Sequence, residues 1–122
     1  MSLIVQKYGG SSVADLEKVK SVACRIKSYI DQGHRLVVVV SAMGKTTDRL
    51  IEMAREVHPS PPDRELDMLL STGEQVSIAL LSMALNALGQ EAIALTGGQA
   101  GIHTSNFHTK AKIITIDPKR IF

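Results

Sequence analysis

The spacing between apolar residues changes along the chain, and this spacing predicts where its strands and helices lie. Leu3 to Tyr8 is a short run of β-type residues that ends at a glycine pair. Further apolar residues recur every three or four positions, as on one face of a helix that stops near Gly33. Ser12, with Asp15 three residues later, predicts a capping box at the start of this helix. The residues of the predicted apolar face are Leu16, Val19, Ala23, Ile26 and Ile30.

The next apolar segment is LVVVV at residues 36–40, which lacks alternation. A continuous β-branched run predicts a strand that is buried on both faces of a parallel sheet. A loop at residues 41–47 then leads into a helical pattern, which the proline-rich stretch HPSPP ends. Residues 63–89 predict a long helical stretch that is interrupted around Ser71, Thr72 and Gly73.

Two more short strands are predicted near the end of the chain, at Ala92–Leu95 and at Ile113–Ile116. Strands that alternate with helices in this order predict an α/β fold, in which helices flank a parallel sheet. In such sheets ligands bind at the carboxyl ends of the strands. The loops that follow the predicted strands are therefore the candidate sites.

Composition and charge narrow the class of protein. The chain has 122 residues, which is one domain at most, and only 3% aromatic residues, so its core should be aliphatic. A net charge of +2 without a Lys/Arg run argues against a nucleic-acid partner. No apolar run approaches the ~20 residues of a membrane span, and no signal pattern is present, so we expect a cytoplasmic protein without a membrane partner.

Cysteine and histidine residues indicate neither a disulfide nor a metal site. Cys24 is the single cysteine, which excludes an internal disulfide and fits a reducing compartment. It follows Ala23 on the predicted helix face, so we expect it to pack in the core. His103 and His108 share a loop, but no carboxylate or cysteine lies at metal-ligand spacing from them. We therefore expect no metal bound by the protein's own side chains.

The first candidate loop is KYGGSS, at Lys7–Ser12, where a strand passes into a helix. Its two glycines allow a ligand to approach the backbone closely. The helix start offers unpaired N–H groups and the positive end of the helix dipole, and Lys7 adds a full positive charge. These features suit a phosphate group. A simple glycine turn with a solvated Lys7 explains the same residues, and both interpretations remain open.

The second candidate loop contains GKTT but does not complete a phosphate-binding P-loop, because Val39 stands where that motif needs glycine. What remains is Ser41, at the end of the buried strand, followed by a polar loop that could bond a ligand. For Thr47 the simpler interpretation is an N-cap before Asp48.

The third candidate stretch is STGEQ, for which the structural interpretation is again favoured. Ser71 with Glu74, or Thr72 with Gln75, would form a capping box before an apolar helix. In the functional interpretation, Glu74 faces the cleft and pairs with a substrate ammonium group, since a buried carboxylate needs such a partner.

Four blocks, taken together and in this order, resemble the N-terminal part of the aspartate kinases of the amino acid kinase family: VQKYGGSSV, VVVVSAMGKTTDRL, ELDMLLSTGEQVSIALL and LTGGQAGI. The resemblance covers essentially all 122 residues. It implies an α/β fold with three αβα layers and a mainly parallel sheet. It also implies ATP-dependent phosphorylation of the L-aspartate side-chain carboxylate to 4-phospho-L-aspartate, the first step towards lysine, threonine and methionine. Mg²⁺ would accompany the nucleotide.

The resemblance also implies roles for single residues. Lys7 would be catalytic by stabilising charge on the transferred phosphoryl group, and Thr47 and Glu74 would bind the amino acid, Glu74 through its ammonium group. An attacking aspartate carboxylate, with a pKa near ~3.9, is already ionised at neutral pH, so no general base is needed. Catalysis would rest on positioning and charge neutralisation. The residues implied to hold the nucleotide phosphates are Lys7, Tyr8, Gly9, Gly10 and Ser41.

The chain departs from the family pattern at single positions and in length. Ser11 stands where the family usually has Thr, Gly98 where relatives often have Trp, and His103 where Arg is more usual. The family's kinase domain continues for about as long again and is followed by regulatory ACT domains. We therefore expect residues 1–122 to be the N-terminal portion of such a domain. Without the nucleotide-binding second half, they should be inactive or nearly so unless complemented.

Two other functions remain open. One is a different amino acid kinase, acting for example on glutamate or acetylglutamate, although the STGE block and Thr47 argue against it. The other is a non-catalytic fragment that binds an anion or a partner. Apolar surface left by the missing half would favour this second alternative and would predict a homo-oligomer or another association through that surface.

Overall fold

The structure is a computed structural model that describes residues 2–105 and 113–122. The strands and helices, in chain order, are β1 (Leu3–Tyr8), α1 (Leu16–Asp31), β2 (Arg35–Val40), α2 (Thr46–Val57), α3 (Asp63–Ala87), β3 (Ile102–Thr104) and β4 (Ile113–Ile116). Short 3₁₀ helices occupy Gly10–Val13 and Pro118–Arg120.

Strands β1 and β2 form a parallel pair, in register from Leu3 opposite Arg35 to Tyr8 opposite Val40. Helix α1 connects them, which is the crossover that a parallel pair requires. Helices α1 and α3 pack against each other and both contact β2. The predicted α/β fold, with a parallel sheet and flanking helices, is confirmed.

The core lies between these helices and one face of the sheet. Tyr8, Leu36 and Val38 pack against it from the strands. The buried apolar side chains are aliphatic, as the low aromatic content predicts: Val13, Val19, Val22, Ala23, Ile26, Val40, Leu81 and Leu85.

The other face of the β1–β2 sheet is open among the described residues. Side chains alternate between the faces of a strand, so Leu3, Val5 and Val39 share one side. Val5 is 67% exposed and Val39 is 49% exposed. The described residues cover only one face of the β1–β2 pair. For these residues, the prediction that the LVVVV strand is buried on both faces is therefore wrong.

Helix α1 begins later than predicted. Residues Gly10–Val13 form a 3₁₀ helix, and α1 starts at Leu16 with Asp15 as its N-cap. The Asp15 carboxylate accepts a hydrogen bond from the Lys18 backbone N–H at 2.9 Å. Asp15 is thus the cap itself and not the partner of a Ser12 cap, so the predicted capping box is wrong.

The end of α1 agrees with the sequence, whereas the position of Cys24 does not. Gly33, with φ of 93°, follows the last residues of the helix as predicted. Cys24 is exposed. One residue turns a helix by about 100°, which is enough to take Cys24 away from the buried face that holds Ala23. The expectation of core packing for Cys24 is therefore wrong.

Helix α3 runs without a break from Asp63 to Ala87, contrary to the predicted interruption. The Ser71 hydroxyl donates to the Met68 carbonyl at 2.8 Å, and the Thr72 hydroxyl donates to the Leu69 carbonyl at 2.6 Å. These side chains bond back to the preceding turn, as Ser and Thr do inside helices. The capping-box interpretation of the STGEQ stretch is therefore wrong.

By length and composition alone, α3 could cross a membrane, and among the described residues it is the helix that passes this test. This differs from the expectation that no segment approaches a membrane span. The core helix of a soluble protein passes the same test. Helix α3 packs against α1 and α2 and buries Gly73, Ser77, Leu81 and Leu85.

The last part of the chain forms a separate small sheet. Strands β3 and β4 pair antiparallel, and the predicted strand at Ile113–Ile116 is confirmed. The predicted strand at Ala92–Leu95 is wrong, because this segment has no strand pairing. It lies across a cavity from β2. A run with strand propensity becomes a strand only where a partner edge is within hydrogen-bonding distance.

Candidate active site

The carboxyl ends of β1 and β2 bring the first two candidate loops together. Because the strands are parallel, both end at the same edge of the sheet, with Lys7 opposite Val39. The Ser41 backbone N–H donates to the Tyr8 carbonyl at 3.0 Å, and the Gly44 N–H donates to the Gly10 carbonyl at 2.9 Å. The predicted phosphate residues of both loops are therefore neighbours.

The two glycines of the first loop differ in what the fold requires of them. A Cβ atom on Gly10 would lie 2.9 Å from the Ala42 carbonyl oxygen and 3.0 Å from that of Gly44. Gly10 is thus required where the two loops cross. A Cβ on Gly9 would meet nothing within 4 Å, and the Gly9 φ of −76° suits any residue. The fold leaves the space beside Gly9 open, which fits the close approach of a ligand to this backbone.

The positive character of this loop comes mainly from Lys7. Lys7 is exposed and forms no ion pair with the residues that the structure describes. The short 3₁₀ helix at Gly10–Val13 begins after Gly9, and the first N–H groups of any helix lack partners within it. The expected contribution of the α1 dipole is wrong, because α1 begins at Leu16 and is capped by Asp15.

The side chain of Tyr8 faces the core. It packs against the core cluster, and its hydroxyl donates to the Gln6 side-chain oxygen at 2.8 Å. Burial raises the pKa of the Tyr8 phenol above its usual value, and the positive charge of Arg25 opposes this rise. Only the backbone of Tyr8 takes part in the contact between the loops, through the bond from Ser41.

Thr47 lies in the first turn of α2 and is exposed. The N-cap position belongs to Lys45, which makes no side-chain cap bond. The Thr46 hydroxyl instead donates to the Met43 carbonyl at 2.5 Å. Thr47 is therefore not the N-cap that the simpler interpretation predicted, and its hydroxyl is placed on the surface.

Helix α3 touches the second loop at Gly73. A Cβ atom on Gly73 would lie 3.2 Å from the Ala42 Cβ and 3.2 Å from the Thr46 Cγ2. Glu74 follows Gly73 on α3, and Thr47 follows Thr46 on α2. Gly73 and Thr46 thus pack against each other, and their sequence neighbours, Glu74 and Thr47, are the two residues implied to bind the amino acid.

Glu74 is exposed and lines a cavity of about 540 Å³ between β2, α3 and the segment after α3. Ser71 and Gln75 lie beside it on the same wall, and Val39 and Val40 lie on the β2 wall. Of the predicted site residues, only Glu74 lines this cavity. The structure therefore brings Lys7, Tyr8, Gly9, Gly10 and Ser41 to one place, and neither they nor Thr47 line the cavity that Glu74 lines.

The sequence analysis missed the packing residues that hold this site, Ala42 and Gly73. A signal was available for Gly73, because glycine in a helix interior costs about 1 kcal/mol relative to alanine and indicates a packing reason when it occurs. Ala42 carries no such signal, since alanine is common in every kind of structure.

Metal ligands do not cluster in the part of the chain that is described. Among residues 2–105 and 113–122, no three His, Cys, Asp or Glu side chains are placed to hold a metal ion together. His103 is exposed in β3. His108 lies outside the described residues.

The fold is that of an α/β domain, whose candidate ligand-binding loops follow the carboxyl ends of its parallel strands. The sequence matches the model of the amino acid kinase family over residues 2–121, and the chain belongs to this family.

Aspartate kinases are among its relatives. The chain is 55% identical to the aspartokinase of Mycobacterium tuberculosis strain H37Rv over 121 residues, which are 99% of this chain and 29% of that protein. It is 56% identical to the aspartokinase of Thermus thermophilus, again over 99% of this chain and 30% of the relative. A crystal structure of aspartate kinase from Synechocystis matches with a TM-score of 0.79 and 61% identity, covering 82% of this chain and 17% of that one. The chain thus spans about 30% of the length of these curated relatives.

Proposed function

We propose that this chain is the N-terminal portion of an aspartate kinase, which transfers a phosphoryl group from ATP to the side-chain carboxylate of L-aspartate to give 4-phospho-L-aspartate. The observation that carries the proposal is the parallel pairing of β1 and β2, which places Lys7–Gly10 beside Ser41 in a chain with more than half of its residues identical to aspartokinases.

Lys7 has the leading role in the proposed chemistry. Phosphoryl transfer needs little covalent help from the protein and depends on positioning and on neutralising charge at the phosphoryl oxygens. The Lys7 ammonium, exposed at the end of β1, would neutralise part of that charge. The open space beside Gly9 would let a phosphate group reach the backbone, with Ser41 on the adjoining strand end.

The amino acid would be held by Thr47 and Glu74. Its reacting carboxylate is ionised at neutral pH, with an unperturbed pKa near ~3.9, so attack requires no general base. The Glu74 carboxylate is exposed at the rim of the cavity and could pair with the ammonium group of the substrate. ATP would enter with Mg²⁺, which is usually held largely by phosphate oxygens.

The remaining parts of the proposal concern context. Residues 1–122 would supply the amino-acid and phosphate contacts, whereas a second half of the kinase domain would supply the adenine pocket, followed by ACT domains. We place the reaction in the cytoplasm, where a lone cysteine such as Cys24 stays reduced, and at the first step towards lysine, threonine and methionine.

A non-catalytic binding fragment is the second candidate function. The observation that favours it is the open apolar face of the sheet, where Leu3, Val5 and Val39 are about half exposed or more. A face of this kind binds a partner or a second copy more readily than it remains in water.

The test is formation of the acyl phosphate from L-aspartate and Mg-ATP, trapped with hydroxylamine. It would use the chain alone and a hybrid enzyme, in which residues 1–122 of this chain are followed by the remaining part of the Synechocystis aspartate kinase. We expect turnover by the hybrid and little or none by the chain alone. Glutamate and acetylglutamate, offered in place of aspartate, should not be phosphorylated.

Lys7→Ala in the hybrid should reduce kcat by roughly 100-fold or more, as does the loss of one charge-stabilising group in other enzymes. Lys20→Ala is the matched control, because Lys20 is exposed on α1 and pairs with Glu17 at 3.5 Å, away from the site. A hybrid that lacks aspartate-dependent turnover would refute the proposed function. A Lys7→Ala hybrid with unchanged kcat would refute the role of Lys7.

A further inference from the structure

Ala42 lies at the point where three segments of the candidate site meet. Its side chain is buried, with 5% exposure. Its carbonyl oxygen is 2.9 Å from the place that a Cβ on Gly10 would occupy, and its own Cβ is 3.2 Å from the place of a Cβ on Gly73. The loop after β1, the loop after β2 and helix α3 are therefore in contact through small residues.

The glycine at position 73 is explained by space and not by backbone conformation. Gly73 lies within the uninterrupted helix α3, and its φ is not positive. Glycine is among the least favourable residues in a helix interior, so propensity argues for alanine here. The narrow space between α3 and the second loop disfavours alanine at position 73, because a methyl group there would force Ala42 or Thr46 to move by a few tenths of an ångström.

We propose that Gly73 and Ala42 are positioning residues, whose contact sets the spacing between Glu74 on α3 and Thr47 at the start of α2. The proposal rests on the proposed function, in which these two neighbours bind L-aspartate. Closer or wider packing of α3 against the loop shifts one binding group relative to the other. Binding sites lose affinity steeply when their groups are displaced by fractions of an ångström.

The test moves a methyl group from one side of the contact between Ala42 and Gly73 to the other. Gly73→Ala adds a methyl on α3, and Ala42→Gly removes the one opposite, so the double variant Gly73→Ala/Ala42→Gly restores part of the room. Gly98→Ala is the matched control, because a Cβ on Gly98 would meet nothing within 4 Å. All variants are made in the hybrid enzyme, and KM for L-aspartate, KM for ATP and kcat are measured.

We expect Gly73→Ala to raise KM for L-aspartate roughly threefold to tenfold, on the scale that small displacements of binding groups produce. KM for ATP should change much less, because Gly73→Ala does not alter the contact between the Ala42 carbonyl and Gly10. The double variant should recover most of the loss, and Gly98→Ala should leave all three constants unchanged. A purely structural role would lower stability without this selective change in one KM.

Amide NMR spectra of the 122-residue chain provide a readout that does not depend on activity. Gly73→Ala should move the amide signals of Ser41 and Glu74, and the exchange of methyl groups should return them. The proposal would be overturned if Gly73→Ala moved these amide signals but left KM for L-aspartate unchanged. It would also be overturned if Gly73→Ala raised this KM and the double variant did not lower it. Absence of aspartate turnover in every hybrid would instead refute the proposed function and the proposal with it, whatever the amide signals show.

Discussion

Residues 2–89 and the described residues from 90 onward differ in how they are held. The residues that the structure shows as buried lie in the first region, where α1, α3 and β2 share an aliphatic core. In the second region no residue among 90–105, 113 and 116–122 is buried, and backbone hydrogen bonds hold its small sheet. The predicted site residues all belong to the first region. A site that depends on small distances is thus built where packing fixes the backbone.

The glycines of the two regions show the same difference. Gly10 and Gly73 are required because other segments pack against them. Gly101, in the second region, is required by its own conformation, with φ of 95°, and by the Asp117 carbonyl, with which a Cβ atom would clash. The first two therefore link separate elements of the first region, whereas Gly101 acts within the β3–β4 sheet, where it contacts Asp117 just after β4.

The largest expected effect compares one isoleucine from each region. Ile26 is 1% exposed and Ile93 is 67% exposed. Truncation of a buried isoleucine removes apolar contacts and leaves a cavity, so Ile26→Ala should lower the free energy of unfolding by about 2–5 kcal/mol. Ile93→Ala should change it by less than about 0.5 kcal/mol. Urea unfolding measures both, and equal losses would contradict the distinction between the regions.

Gly10→Ala tests the crossing of the two loops. The added methyl would meet two backbone carbonyls, of Ala42 and Gly44, which cannot rotate away as a side chain can. We expect a loss of about 1–3 kcal/mol in the free energy of unfolding, the usual cost of overpacking. Gly97→Ala, where a Cβ would meet nothing within 4 Å, is the control. An equal loss in both variants would contradict the assignment to the loop crossing, because Gly→Ala acts on the unfolded chain in the stabilising direction.

Gly101→Ala should disturb the second region alone. The strain at positive φ and the clash with Asp117 should open the β3–β4 sheet, which is separate from the β1–β2 sheet and can therefore unfold locally. Hydrogen exchange at the Asp117 amide, which donates to the Gly101 carbonyl at 2.7 Å, should become faster. The global free energy of unfolding should change by less than about 0.5 kcal/mol. A larger global loss would show that both regions unfold as one unit.

The smallest expected effect is a pH dependence of the first region. Burial raises the pKa of the Tyr8 phenol in the folded state, so folding favours its neutral form. This contribution is complete below the unfolded pKa of about 10 and is lost as pH rises through the higher folded pKa. Tyr8→Phe should therefore show a smaller loss of stability between about pH 9 and about pH 11 than the unchanged chain. Parallel pH profiles of the two proteins in urea unfolding would contradict this assignment.

Local patterns were sufficient for much of the fold. The strand at LVVVV, though not its burial on both faces, the buried Val19 and Ile26 of one helix face and the stop at Gly33 appear as predicted. The aliphatic core follows from a composition with few aromatic residues. These features depend on residues close together in sequence, whose periodicity reports directly which side of an element is apolar.

The candidate site was predictable where it follows the strands and not where it depends on contacts between helices. The neighbourhood of Lys7–Gly10 and Ser41 follows from two parallel strands that end at one edge. The place of Glu74, on an unbroken helix at the rim of a cavity, could not be derived, because the STGE stretch has the residues of a capping box.

The sequence by itself determined the family, the parallel strand pair and the composition of the core, because these are recorded in motifs and in short-range periodicity. Only the tertiary structure decided that α3 continues through Gly73 and that residues 92–95 stay unpaired. Residues such as those of the STGE stretch fit a helix cap and a helix interior about equally well by local preference. Packing against segments that are distant in the sequence decides which structure forms.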